Sequence, residues 1–556
     1  MRCLMKLPCL PVPRSFYFGV CLAALTGCTF MEQKKPATPP THPSLHVPLS
    51  QNQDIRLCLD SDPGTLDPRK VRGLHGVNVV NNLFEGLTRI DAMGMVKPAA
   101  TKKVTVSNNM KTYTFTLDES KWSNGQPVTA NDFVNSWKST LDPETRSPHA
   151  YQLFLIKNGK AAFEGKAAPE DIGVRAADDQ TLIVTLEHPA PYFLELVASY
   201  PFFPVCANQE DSLVSNGPFC LVSWKPNVEI ELEPNPYYPQ AADILVKKVS
   251  FQIVDDRTEL ALFERGKLDW AGSPTSTIPM DAIASLKKRG MINTLPAAGT
   301  GFVRANCGVF PLSCAKLRKA LALAIDTQAI VDHIMQGNQP VATAFVPPCL
   351  GLTNKGYFTP HDTALASKLF EDALGELKVS RETLPQIRLT YASSSDRSQK
   401  IAQAIQQDWK TLFQIEVALE PQEQKLFFEN VFTKQYQLAL GSWFADFYDP
   451  ISFLSIFQYK ENGTNNTDWD NSDYARLLQE STFEMDRPKR FALLEEAQEI
   501  LMQDMPVFPL FYYTFSFLKN PLLEGVWLNE LGILELKHSY MAALPPVPSN
   551  VPKPTE

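Results

Sequence analysis

Apolar and polar residues alternate with period two over Ile55-Arg56-Leu57-Cys58-Leu59 and again over Thr112 to Leu117, and that alternation predicts strands. The runs 181–186 (TLIVTL), 228–232 (VEIEL) and 249–254 (VSFQIV) predict three more. Between them the period changes. Thr129-Ala130-Asn131-Asp132 supplies an N-cap and leads into Phe133, Val134 and Trp137 on one helix face. Residues 315–330 predict one long amphipathic helix with Leu317, Leu321, Ala324 and Ile325 on its apolar side. Ile401, Ile405, Trp409 and Leu412 recur at helical spacing, and 487–504 predict a last helix stopped by Pro506. Asn124-Gly125 is the dipeptide of a type I′ turn, so Trp122 and Val128 flank a hairpin. Gly217-Pro218 turns the chain before a strand over 219–224, and Asp326 caps or closes a helix end. Strands and helices alternate without a fixed repeat, which argues for an α/β fold.

The two ends read differently. Arg2, Lys6 and Arg14 precede or flank a short apolar run from Phe16 to Leu25, followed by Leu25-Thr26-Gly27-Cys28. That is the layout of an export signal over 1–27, and the run is shorter than the roughly 20 residues that span a bilayer. Leu-Thr-Gly-Cys resembles the bacterial lipobox, which makes Cys28 the acylated first residue of the mature chain. Residues 28–53 are polar and proline-rich and read as a tether, and 546–556 read as a disordered tail.

Composition then removes function classes. The chain has 556 residues, 44% apolar and 20% charged, with a net charge of −9. Losing Arg2, Lys6 and Arg14 with the signal moves that to −12. An acidic chain without a basic run is unsuited to nucleic acid. A mean hydropathy of −0.16 excludes a multi-span membrane protein. Six cysteines remain after Cys28: 58, 206, 220, 307, 314 and 349. In an oxidising compartment they allow disulfides, with Cys206–Cys220 and Cys307–Cys314 closest in sequence, and buried thiols are an equal alternative. No G-x-S-x-G, H-E-x-x-H, Walker or G-x-G-x-x-G motif occurs, and the eight histidines are scattered without ligand spacing. Asp468, Asp470 and Asp473 imitate the start of a calcium loop but lack its glycine and closing glutamate. No metal or cofactor is expected.

Several segments in order carry a resemblance. They are Thr65-Leu66-Asp67-Pro68, Asn82-Leu83-Phe84-Glu85-Gly86-Leu87, residues 121–133 (KWSNGQPVTANDF), Asn216-Gly217-Pro218-Phe219 and Asn235-Pro236-Tyr237-Tyr238. Further on come Gly266-Lys267-Leu268-Asp269, Leu317-Arg318-Lys319-Ala320-Leu321 with Ala324-Ile325-Asp326, and residues 443–450 (WFADFYDP). Together they resemble the peptide/nickel-type, family 5 extracellular solute-binding proteins of ABC importers, nearest to the oligopeptide-binding lipoproteins. The resemblance implies a two-lobed α/β periplasmic-binding-protein fold, class II with an extra inserted domain, around a hinged cleft. The discontinuous first lobe would comprise 54–85, 191–298 and 515–545, the extra domain 86–190, and the second lobe 299–514. Gly299-Thr300-Gly301 and Tyr512-Tyr513 would mark the hinge crossovers, although a plain turn at the glycines is an equal reading.

The resemblance also implies a site. A receptor for varied peptides must bind their common parts, the backbone and the terminal amine, and a buried ammonium needs a carboxylate. Asp446 matches the family aspartate that takes the amine. Ser442, Trp443 and Phe444 would supply an edge strand and pocket, and Trp443 could equally belong to the core. Asp60, Asp62 and Gly64 would form the opposite edge. Asp449, before Pro450, reads as an N-cap. Some family members carry an arginine three residues before the tryptophan, where this chain has Leu440; Arg304 is the candidate to meet a ligand carboxylate instead. The implied protein is a monomeric binding protein and not an enzyme. It would be lipid-anchored at a bacterial membrane facing the periplasm or exterior, and deliver oligopeptides to ABC permease subunits and their ATPases. A murein peptide, dipeptide, metal chelate or haem is the alternative ligand; an exported chaperone or adhesin, or a hydrolase, are readings from other classes.

Overall fold

In the computed structural model the described residues are 48–91, 93–207, 213–353, 355–461 and 463–544. Along the chain run β1 (Asp54–Leu59), the short pair β2 (Thr88–Ile90) and β3 (Val96–Pro98), then β4 (Thr101–Val106), β5 (Thr112–Leu117), β6 (Val174–Asp178) and β7 (Thr181–Thr185). Next come β8 (Phe219–Lys225), β9 (Glu229–Pro234), β10 (Lys248–Ile253), β11 (Trp270–Gly272) and β12 (Asn293–Ala305). The last are β13 (Ile387–Ala392), β14 (Val417–Gln422), β15 (Leu438–Phe444) and β16 (Val507–Lys519).

These strands build three main sheets. One has the order β1-β10-β9-β8, with β1 and β10 parallel. An antiparallel sheet has the order β4-β5-β7-β6. The largest has the order β11-β16-β12-β15-β13-β14, parallel only where β13 meets β14 and β15. One apolar core joins the first two sheets, from Leu57 and Phe251 to Phe115 and Trp137. Two further cores lie against the large sheet: Leu321, Trp409 and Phe508 belong to one, Phe345, Phe453 and Leu494 to the other. The described residues from Leu49 onward form one compact unit. No helix among the described residues is long and apolar enough to cross a membrane.

All five strands predicted by alternation form, and so do the helices over Ala130–Leu141, Asp396–Phe413 and Arg487–Asp504. Thr129 and Asp132 close a capping box, with the Thr129 N–H donating to Asp132 Oδ2 at 2.7 Å. The predicted helix over 315–330 is broken. It ends at Leu323, and Asp326 begins a new short turn by accepting the Ala329 N–H at 2.9 Å. The Asp326 N–H itself goes to Asp408 at 2.9 Å, so a tertiary hydrogen bond takes the place of the helical one.

The Asn124-Gly125 turn also differs from expectation. Only Gly125, at φ +85°, is left-handed, whereas type I′ needs both residues so. The Gly125 N–H donates to Trp122 O and the Trp122 N–H to Gln126 O, each at 2.8 Å. A left-handed glycine after a tight turn is the glycine-bulge form of hairpin.

Gly299 and Gly301 lie inside β12, not in a turn. A Cβ at either would collide with the ring of Phe444 or Phe511, so close packing accounts for both glycines. β12 and β16 pair along most of their lengths, with a register shift between Pro296 and Thr300.

Residues 49–53, at the end of the expected tether, are fastened to the C-terminal segment. The Ser50 N–H donates to Met541 O at 2.9 Å, and buried Gln53 bonds both polar groups of Met541. No disulfide joins the described cysteines. Both sequence-close pairs are corrected by their surroundings: Cys220 Sγ donates to Glu233 O, Cys307 Sγ to Ala305 O, and Cys314 Sγ to Glu376. Burial pushes the Cys307 thiol up to about 11. Residues 1–27, Cys28 and the 546–556 tail lie outside the described residues.

Candidate functional site

The segment from Ser442 to Pro450 joins β15 to the short helix Ile451–Leu454. On one side β15 pairs with β12 along its length, Gly301 opposite Ser442 and Gly299 opposite Phe444. On the other, β13 reaches only Leu438 and Ala439. The strand is therefore interior at its start, and Gly441 to Phe444 have a strand partner on one side only among the described residues. Directly opposed residues share a face. Thr300, Phe302 and Arg304 thus lie on the same face as Trp443, Gly441 and Ala439.

Three cavities adjoin this segment through shared walls. The first, about 370 Å³, has apolar walls such as Leu74, Val77, Phe203 and Trp527, and also exposes Asp446 and Glu195. The second, about 500 Å³, shares Asp446, Phe447 and Gln152 with the first and adds Tyr151 and Trp443. The third, about 370 Å³, shares Trp443 and Ile456 with the second and holds Arg304 among Phe427, Phe428 and Phe432.

Asp446 is half-buried at the junction of the first two cavities. Burial pushes its carboxyl up to about 6, and a hydrogen bond from the Tyr151 hydroxyl opposes that rise. It forms no ion pair among the described residues. The residues after it hold it in place. Phe447 stacks on Tyr192 at 5.3 Å, and the Arg490 guanidinium lies 5.5 Å from the same tyrosine ring. Arg490 donates two hydrogen bonds of 2.7 Å to the buried carboxylate of Asp449. Asp449 does cap locally, accepting the Ile451 N–H at 2.9 Å, but its larger partner is this arginine, 41 residues on.

Trp443 walls two cavities, and its indole N–H is tied to Ser452 O at 3.0 Å. Phe444, exposed, tilts against Tyr513 with ring centres 4.8 Å apart, and Ser442 hydrogen-bonds the Tyr513 hydroxyl. Arg304 sits over the Phe302 ring at 5.3 Å, in the space that the missing side chain of Gly441 leaves. Its Nε is buried without a hydrogen-bond partner, and burial holds its pKa below the usual value. Leu440 is buried opposite Val303.

Asp60, Asp62 and Gly64 are not on the walls of these cavities. Asp60 meets His75 at 3.3 Å, and Asp62 accepts the N–H groups of Gly64 and Asn227 and the Trp224 indole N–H. Burial works against the Asp62 carboxylate, but those donors outweigh it and hold its pKa below the ordinary range. Such a saturated carboxylate pins a loop to the β8–β9 turn. Asp468, the calcium-loop look-alike, pairs with Lys434 and Lys460 instead.

Sequence reasoning missed Tyr151, Gln152, Glu195 and Tyr200, which reach the cavities from short helical turns, and the wall from Trp527 to Glu535. No periodic signal marks single turns of this kind.

Comparison with known proteins agrees with this geometry. Residues 95–465 match the model of the bacterial extracellular solute-binding proteins, family 5. The oligopeptide-binding protein OppA of Bacillus subtilis (strain 168) is 37% identical over 87% of this chain and 92% of its own. The dipeptide-binding protein DppE of the same organism is 34% identical over 92% of this chain and 96% of its own. The unliganded open form of the periplasmic murein tripeptide-binding protein MppA superposes with a TM-score of 0.77 at 28% identity, covering 90% of this chain and 99% of that one. With residues 95–465 matching the family model and most of its length shared with relatives of 37% and 34% identity, the chain belongs to the bacterial extracellular solute-binding proteins of family 5.

Proposed function

We propose that the chain captures oligopeptides outside the cytoplasm and hands them to an ABC importer, without catalysing a reaction. The observation that carries this reading is Asp446: among the described residues it is a half-buried carboxylate with no cationic partner, beside a strand end with no partner on its outer side. An extended peptide added along Gly441–Phe444 would satisfy those backbone groups while its terminal ammonium pairs with Asp446. The cavities on either side are large enough for side chains of different sizes, with water filling what they leave. The B. subtilis relative named for oligopeptides supports this ligand class, and those named for dipeptides and murein tripeptide keep short or branched peptides as the second reading.

Arg304 takes the ligand carboxylate in this proposal, since it borders the third cavity and forms no ion pair among the described residues. Isothermal titration should show that tri- to pentapeptides with both ends free bind, and that N-acetylation abolishes measurable binding. Amidating the C-terminus should cost about tenfold, and Arg304→Met should erase that difference, on the scale of one charge-assisted hydrogen bond. Equal affinity for acetylated and free peptides would sink the assignment of the cleft. Asp60, Asp62 and Gly64 have no role in this proposal, because their hydrogen bonds are spent on the fold.

The lobes over 54–85, 191–298 and 515–545 and over 299–514, with the 86–190 domain inserted, would close over the ligand by rotation within β12 and β16. Acylated Cys28 would hold the protein to the membrane beside the permease, since several acyl chains anchor where one is marginal. Cys28→Ser is expected to move the protein from the membrane to the soluble fraction; a variant that stays membrane-bound would contradict the anchor.

A further inference from the structure

The first cavity carries a second unmatched carboxylate. Glu195 lies on the four-residue helix Phe193–Leu196, whose Phe193 and Leu196 are buried, and Glu195 borders the cavity that Asp446 also lines. The other charged groups on that wall are matched: Arg89 meets Glu535 at 3.2 Å and Glu85 at 3.3 Å, and Glu535 also meets Lys537. The charged groups that act on Glu195 are Asp449, Arg490 and Arg487. Arg490 is engaged by Asp449 through both terminal nitrogens, and Arg487 lies over the Phe491 ring at 4.8 Å. Neither forms an ion pair with Glu195 among the described residues. Burial pushes the Glu195 carboxyl up to about 7, with Asp449 adding to the rise. A half-buried carboxylate that borders a cavity without a counter-charge is stabilised by a cation that enters it.

We propose that Glu195 is a specificity-determining residue: it receives the ammonium or guanidinium of a basic side chain on a peptide whose terminal amine rests on Asp446. The cavity then favours ligands with two positive groups, one at the terminus and one on a long flexible stem packed against Leu74, Val77 and Trp527. The inference rests on the peptide reading of the cleft.

The test scans lysine against norleucine, which has the same stem without the charge, through each position of tri-alanine. Affinities are measured at pH 8, where Asp446 and Glu195 are both ionised. The unmodified protein should favour lysine about tenfold at one position, Glu195→Gln should bring that ratio near one, and Glu195→Asp should keep part of it. A ratio near one at every position, or a preference that survives Glu195→Gln, overturns the inference while norleucine peptides still bind. If no peptide of either series binds the unmodified protein, the peptide reading itself fails and takes this inference with it.

Discussion

Replacing Asp446 by alanine should weaken the binding of free-amine peptides by roughly 30-fold to several-thousand-fold. That is the cost of about 2–5 kcal/mol for leaving one member of a desolvated charge pair alone. The effect is large because Asp446 is the carboxylate beside Tyr151 where the first two cavities meet: Glu535 is committed to Arg89, and Glu195 borders the first cavity without reaching the second. Titration calorimetry with a free-amine tripeptide checks the loss. A loss of less than threefold would move the amine site elsewhere.

The same carboxylate sets a pH dependence. Its pKa of about 6 in the empty cleft lies above the ordinary 3.8. Binding an ammonium requires the ionised form, so affinity should fall about tenfold per pH unit below 6 until the bound-state pKa is reached. For the empty protein the sign is the reverse. A raised acid binds more protons folded than unfolded between about pH 4 and 6, so stability drops as pH rises through that window and stays lower above it. The arriving cation restores what ionisation removed. Asp446→Asn should therefore flatten both curves at once.

The second large effect concerns stability. Arg490→Met should destabilise the protein by about 3–5 kcal/mol, because it leaves Asp449 buried without its two 2.7 Å hydrogen bonds. Replacing both, Asp449→Asn with Arg490→Met, should recover part of that loss, since a buried neutral amide costs less than an uncompensated charge. Urea unfolding monitored by tryptophan fluorescence reads both. The single variant should also lower peptide affinity, because Arg490 and Phe447 share the Tyr192 ring that seats the Asp446 segment.

Local patterns carried much of the architecture. Strands with one buried face, such as Thr112–Leu117, show their alternation directly, and the helix over 487–504 is bounded by Asp486 and Pro506. What stayed hidden depends on long-range partners. The helix break at 324–326 is written in Asp408, and the Asp449 partner in Arg490. Of the residues the resemblance pointed to, Trp443 and Asp446 border the cavities, whereas Asp60, Asp62 and Gly64 lie away from all three. Asp60 meets His75 and Asp62 is spent on its own loop and the β8–β9 turn, while Tyr151 and Glu195 arrive from single helical turns and Trp527 from a two-residue strand, none with a pattern of its own.

A strand end with unpaired backbone groups is also a liability, because such edges recruit other chains and seed aggregates. On β15 that stretch is short, Gly441 to Phe444 among the described residues, and it adjoins cavities walled by Tyr151, Trp443 and Phe432. A single extended segment can slide into that space, whereas another folded sheet cannot bring its edge close. In the proposed reading, the enclosure that would admit an extended peptide would also keep this strand end from pairing with the edge of another sheet.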